Sequence, residues 1–169
     1  MKLKIFIALF ALLQFISCKK DNESKPEFKG ITLTDEQGSF MGFIDPTDWR
    51  TDDKFTKLEM QLFDTLNFNK VNQAKSASGI INKSIGTIIF YPNPTTDFGT
   101  LDIDHDNFIL NMVMVDGEFN KVISYRATDR RSIAISFHSF NTGIYRVYYV
   151  LQDLQFNIIG LGHGDVKYE

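Results

Sequence analysis

The sequence predicts a mainly β protein: a small antiparallel β-sandwich over residues 86–169, preceded by a short hairpin and one helix. Three observations carry that prediction. From Gly86 onward, short apolar stretches are separated by Asn, Asp and Gly, and none has helical periodicity. Helical spacing of apolar residues occurs once in the body of the chain, between Lys54 and Leu66. Phe 16 and Tyr 6 in 169 residues supply a dense aromatic core, unlike the composition of a disordered chain.

The elements follow in order. Ile31 to Thr34 alternates apolar with polar, Asp35–Glu36–Gln37–Gly38 is turn-like, and Ser39 to Ile44 is apolar again, which predicts a hairpin. Residues 45–53 interrupt it with Pro46 and four aspartates around Trp49. From Lys54 to Leu66, Phe55, Leu58, Leu62, Phe63 and Leu66 share one helical face, with Asp52 or Asp53 as N-cap. Residues 67–85 lack periodicity and are expected to link the N-terminal region (31–85) to the sandwich.

The expected strands are Thr87–Tyr91, Thr100–His105, Phe108–Val115, Val122–Arg126, Ser132–Phe137, Ile144–Leu151 and Phe156–Leu161, with a last piece at Val166–Tyr168. Gly160–Leu161–Gly162–His163–Gly164 is expected to form a bulged turn between the last two. Alternation on each strand places Ile89, Leu101, Ile103, Val113, Val115, Ile133, Ile135, Tyr145 and Val147 inside.

The N-terminus has a different logic. Lys2 and Lys4 precede an apolar run, Ile5–Ile16, that is too short for the ~20 residues of a membrane-spanning helix. Ser17–Cys18 and a polar stretch follow. This order is that of a bacterial export signal over residues 1–17, and its end resembles a lipobox. The rival reading is a plain secretory signal cleaved elsewhere, but there is no Ala-x-Ala site. The resemblance implies that Cys18 carries a covalent, palmitate-type lipid, with residues 18–30 as a tether of at most roughly 40 Å. Cys18–Lys19–Lys20–Asp21 is similar to the start of Bacteroidetes-type surface lipoproteins, which implies an outer-membrane, cell-surface location through the lipid anchor.

A second resemblance lies in the C-terminal half. Tyr91–Pro92–Asn93–Pro94 followed by Leu101–Asp102–Ile103, and later Gly143–Ile144–Tyr145–Arg146–Val147, resemble two boxes of the C-terminal sorting domains of the type IX secretion system. That likeness covers residues 87–169 and implies an immunoglobulin-like sandwich and a secretion-system partner. Physically, the two prolines deny ladder hydrogen bonds and bend the chain. Gly143 is expected to relieve crowding as its strand enters the core, and Tyr145 to pack its ring while its hydroxyl finds a partner.

Candidate sites are few. Asp102, Asp104 and Asp106 share one face if the strand runs through them, and three carboxylates suit Ca²⁺; a solvated sheet face is the plainer account. Trp49 among Asp45, Asp48, Asp52 and Asp53 has the chemistry of a sugar-stacking platform, or packs under the helix while the aspartates cap it. His105, His138 and His163 share no zinc-ligand spacing, and the glycine-rich end lacks the Lys and Ser/Thr of a phosphate loop. There is no Gly-x-Ser-x-Gly. Lys and Arg total 18 against 21 acidic residues, and no stretch is strongly basic, so nucleic acid is not an expected partner. The expectation is a non-enzymatic interaction module without a cofactor, binding an envelope protein, a secretion-system component or a glycan.

Overall fold

The computed structural model describes residues 25–28, 30–51, 54–68 and 85–169. The signal at 1–17, Cys18, Asp52, Asp53 and most of the tether and linker lie outside those residues. Seven strands are described: β1 (Ile88–Tyr91), β2 (Phe98–Ile103), β3 (Ile109–Val115), β4 (Lys121–Thr128), β5 (Ser132–Ser136), β6 (Gly143–Gln152) and β7 (Ile158–Tyr168). They form two antiparallel sheets, β1-β2-β5 and β4-β3-β6-β7, packed as a sandwich. The order is immunoglobulin-like, with the fourth strand beside the third rather than beside the fifth. Tyr145, near the start of β6, makes the corner hydrogen bond of such folds: its hydroxyl donates to the Asn141 carbonyl (2.6 Å) while its ring packs on Phe137 and Phe140.

Three inward assignments need correction. Ile88 and Phe90 point inward and Ile89 does not, because all four residues of β1 are apolar or aromatic and alternation cannot set its phase. On β3, Leu110, Met112 and Met114 face the sandwich. Val113 and Val115 are buried on the opposite face with Phe55, Leu62, Phe63, Tyr148 and Val150. β3 is buried at every residue because residues 54–68 cover the outside of its sheet.

The helix is shorter than expected. Among the described residues of this stretch, α1 (Lys57–Met60) alone is α-helical, and Thr56 caps it in place of the expected Asp52 or Asp53. Thr56 and Glu59 form a reciprocal capping box, a Thr-x-x-Glu signal present in the sequence. Beyond Met60 the chain continues in tighter i→i+3 turns, with Leu62 N–H donating to Glu59 O and Phe63 N–H to Met60 O. Phe55, Leu62 and Phe63 are nonetheless buried.

The glycine-rich end is not a turn. β7 runs unbroken through Gly160, Gly162 and Gly164, which face Leu151, Tyr149 and Val147 of β6. Residues 49–51 lie along this strand: Trp49 N–H donates to His163 O (2.7 Å), and Leu161 N–H donates to Thr51 O (3.2 Å). A Cβ at Gly162 would strike the Arg50 carbonyl, and one at Gly164 the Trp49 ring. By contrast, a Cβ at Gly143 would meet nothing within 4 Å, so Gly143 does not relieve crowding there. Gly164→Ala is therefore expected to cost ~1–3 kcal/mol in chemical denaturation, and Gly143→Ala less than about 0.5 kcal/mol.

Candidate interaction surface

The surface is built on a turn that recurs. In Asp35–Ser39, Asp116–Asn120 and Asp153–Asn157, the aspartate Oδ1 accepts the backbone N–H groups two and four residues on, at 2.8–3.0 Å. The fourth residue of each turn has positive φ: Gly38 (79°), Phe119 (66°) and Phe156 (64°). Aspartate suits this geometry because its carboxylate replaces two missing backbone acceptors. Glycine adopts that φ freely, whereas phenylalanine does so under strain. Phe119 packs edge-on to Tyr148, whereas Phe156 is exposed beneath the Arg126 guanidinium.

The first of these turns heads the expected hairpin, which forms with one bridge, Thr34 to Phe40. Its two arms differ in role. Thr34 exchanges backbone hydrogen bonds with Asn93 (2.9 and 3.1 Å), and its hydroxyl donates to Phe90 O (2.8 Å). The other arm is turned outward. Met41 N–H donates to Leu33 O, while Leu33 N–H donates to Phe43 O, so Gly42 (φ 73°) bulges between them with open space around it. That bulge leaves side chains of both parities in solvent: Phe40 52%, Met41 47%, Phe43 59% and Ile44 50% exposed. A second exposed apolar tip, Leu154 and Phe156, lies at the other end of the β6–β7 hairpin.

A buried ionic layer holds the approach to the first tip. Arg146 and Asp165 face one another across β6 and β7 and form a two-pronged pair, Nε to Oδ1 at 2.6 Å and Nη2 to Oδ2 at 2.7 Å. Phe28 lays its ring on the guanidinium at 4.6 Å. Asp48 accepts from the N–H groups of Thr32 (3.0 Å) and Asp165 (3.1 Å). Burial, and then the Asp165 carboxylate, push the Asp48 carboxyl up to about 6. Burial opposes the charge on Arg146, but the hydrogen bonds and charge of Asp165 outweigh it and hold its pKa above the ordinary value. Tyr148 donates to Glu59 Oε1 (3.0 Å), and burial together with that carboxylate raises the phenol pKa. These groups are partnered with each other and with backbone amides, a structural arrangement rather than an open proton-transfer site.

The residues singled out by sequence are dispersed. β2 ends at Ile103, so Asp104 and Asp106 lie beyond the strand and share no face with Asp102. Asp102 accepts from Ser132 Oγ (2.6 Å), and Asp106 pairs with Arg131. Among the described residues no three His, Cys, Asp or Glu side chains gather as a metal site. Trp49 packs in the sandwich core near-parallel to Phe90 and Tyr149, not under the helix, and its burial leaves no open platform for a sugar. Its neighbour Asp48 ties backbone segments together rather than capping α1. The Arg146–Asp165 pair escaped sequence reasoning, although an arginine inside Tyr145–Arg146–Val147–Tyr148 signals a charge that needs a buried partner. Among the described residues no helix is long and apolar enough to cross a membrane. No protein-family model matches the chain, and no curated protein matches it significantly.

The folded pKa of Asp48 lies above its ordinary 3.8, so the stability from its protonated form is full below that value and is lost as pH rises through about 6. Asp48→Asn is expected to destabilise the fold at every pH, through imperfect pairing of two buried N–H groups. It should also remove a loss on the order of 2–3 kcal/mol between pH 4 and pH 7. Denaturant titrations of both proteins across that range check the difference in slope.

Proposed function

We propose that this protein is a non-enzymatic lipoprotein of the outer membrane, anchored through Cys18, whose β-sandwich acts as an interaction module. The observation that carries the interaction role is the outward arm of the hairpin. It holds four consecutive apolar side chains (interrupted only by Gly42) in solvent, while its other arm is stitched to the sandwich through Asn93. Burial would ordinarily claim such side chains, and a contiguous exposed apolar group is what recognition surfaces present. The anchor rests on the sequence Ile5–Cys18. Two or more acyl chains hold a protein stably where one does not. Metabolic labelling with a palmitate analogue tests it: Cys18→Ala should lose both label and membrane retention. A wild-type chain recovered soluble with a free Cys18 thiol would overturn the reading.

A second reading, a type IX secretion substrate or accessory, is favoured by one observation. The two boxes that carry the resemblance meet at one end of the sandwich, where Asn93 accepts from Lys167 N–H (2.9 Å) and Gly143 pairs with Tyr168. Fused to a periplasmic reporter, residues 86–169 should then direct its export, and disruption of Gly143–Tyr145 should abolish it. No export from a strain that exports a genuine cargo rejects this reading.

A further inference from the structure

We propose that the hairpin tip, Phe40, Met41, Phe43 and Ile44, docks into the headgroup–acyl boundary of the bilayer that holds the Cys18 lipid, so that the sandwich stands on the membrane instead of swinging on its tether. This inference rests on the lipoprotein reading and names the partner of the same surface.

The first argument is position. The chain enters the fold at the end that carries the tip. Lys25 donates to the Glu118 carbonyl in the β3–β4 turn, and Phe28 stacks on Arg146 near the start of β6. Gly30 lies against Asp45 and the Phe43 ring, so the route from the anchor passes beside the apolar side chains. The second argument is reach. From Cys18 to Lys25 the backbone spans at most ~25 Å at ~3.3–3.6 Å per residue. That length keeps this end of the domain close to the lipid and lets the tip touch it.

The third argument is shape and size. Four half-exposed side chains on a bulged turn form a convex wedge on the order of 300–400 Å². A stable protein interface needs about 800 Å² from each partner. Insertion at a lipid boundary needs only an apolar face near the surface, and its strength adds to that of the acyl chains. Asp35, Glu36 and Asp45 flank the tip and limit insertion to the boundary region. Leu154 and Phe156 are exposed to a similar degree, but they sit at the far end of β6, about 30 Å away at ~3.3 Å per residue.

The test uses the full lipidated chain in phosphatidylcholine vesicles containing lipids brominated on the acyl chain close to the ester carbonyls, at the depth of the headgroup–acyl boundary. With the Cys18 sulfur in a thioether, Met41→Cys introduces a single thiol for a bimane label, and Leu154→Cys provides the distal control. The label at 41 is expected to lose most of its emission to the brominated lipid, and the label at 154 to keep its own. Ile44→Cys reports the same from a second position should the first variant fold poorly. An acylated, vesicle-retained protein whose labels at 41 and 44 stay as bright as that at 154 overturns the docking and leaves the anchor standing. A chain that floats free of vesicles with an unmodified Cys18 overturns both.

Discussion

Asn93 is fully buried, and every polar atom of its side chain is used. Its amide donates to the carbonyls of Thr32 (2.9 Å) and Asp165 (2.8 Å), and its Oδ1 accepts from Lys167 N–H (2.9 Å). The prolines on either side have no N–H to offer, so the bend after β1 is held by this side chain together with the two backbone hydrogen bonds that Asn93 exchanges with Thr34. A buried amide left unpaired costs more than its bonds contribute when made, so its partners must be in place for the fold to close. Those partners come from the N-terminal hairpin and the last strand, more than half the chain apart. Through Thr32 and Thr34 it sets which arm of the hairpin faces inward. Through the backbone of Asp165 it borders the residue whose carboxylate pairs with Arg146.

The same closure explains why one sheet is buried on two faces. Its inner face packs on β1-β2-β5, and its outer face is covered by residues 54–68. A strand so placed loses the alternation that normally identifies a half-exposed strand. β7 shows the complementary constraint. The Arg50 carbonyl and the Trp49 ring leave no room for a Cβ at Gly162 and Gly164, and the Ile85 side chain crowds Gly160, so three glycines occur at alternate positions within the strand. Covering the edge of β7 also withdraws unpaired backbone groups from other chains.

The exposed apolar side chains on which the proposed interaction role rests are presented by turns and by the arm that follows one of them. The three aspartate-led turns share one hydrogen-bond design, yet their surroundings give them different exposures: Phe119 is packed, Phe156 is presented, and the first turn leads into an exposed arm. A rigid sandwich supplies the positional precision, and the turn residues supply chemistry at its two ends.

The sequence by itself determined the fold class, the strand count to within one, the hairpin and the burial of Phe55, Leu62 and Phe63. These follow from local periodicity and turn chemistry, which act over a few residues. The inward phase of Leu101, Ile103, Ile133, Ile135, Tyr145 and Val147 was legible as well, because polar or exposed residues interrupt β2 and β5 at a period of two and Arg146 separates Tyr145 from Val147 on β6. Tertiary structure decided the rest. It chose the phase of β1, where every residue is apolar, and buried both faces of β3. It drew Trp49 into the core and turned Gly160–Gly164 into strand, because segments distant in sequence cover these positions. It separated Asp102, Asp104 and Asp106 by ending β2 at Ile103. It brought Asp48, Arg146 and Asp165 together and left Phe40–Ile44 in solvent. A side chain's partner across the fold is set by long-range closure, and local pattern carries no record of it.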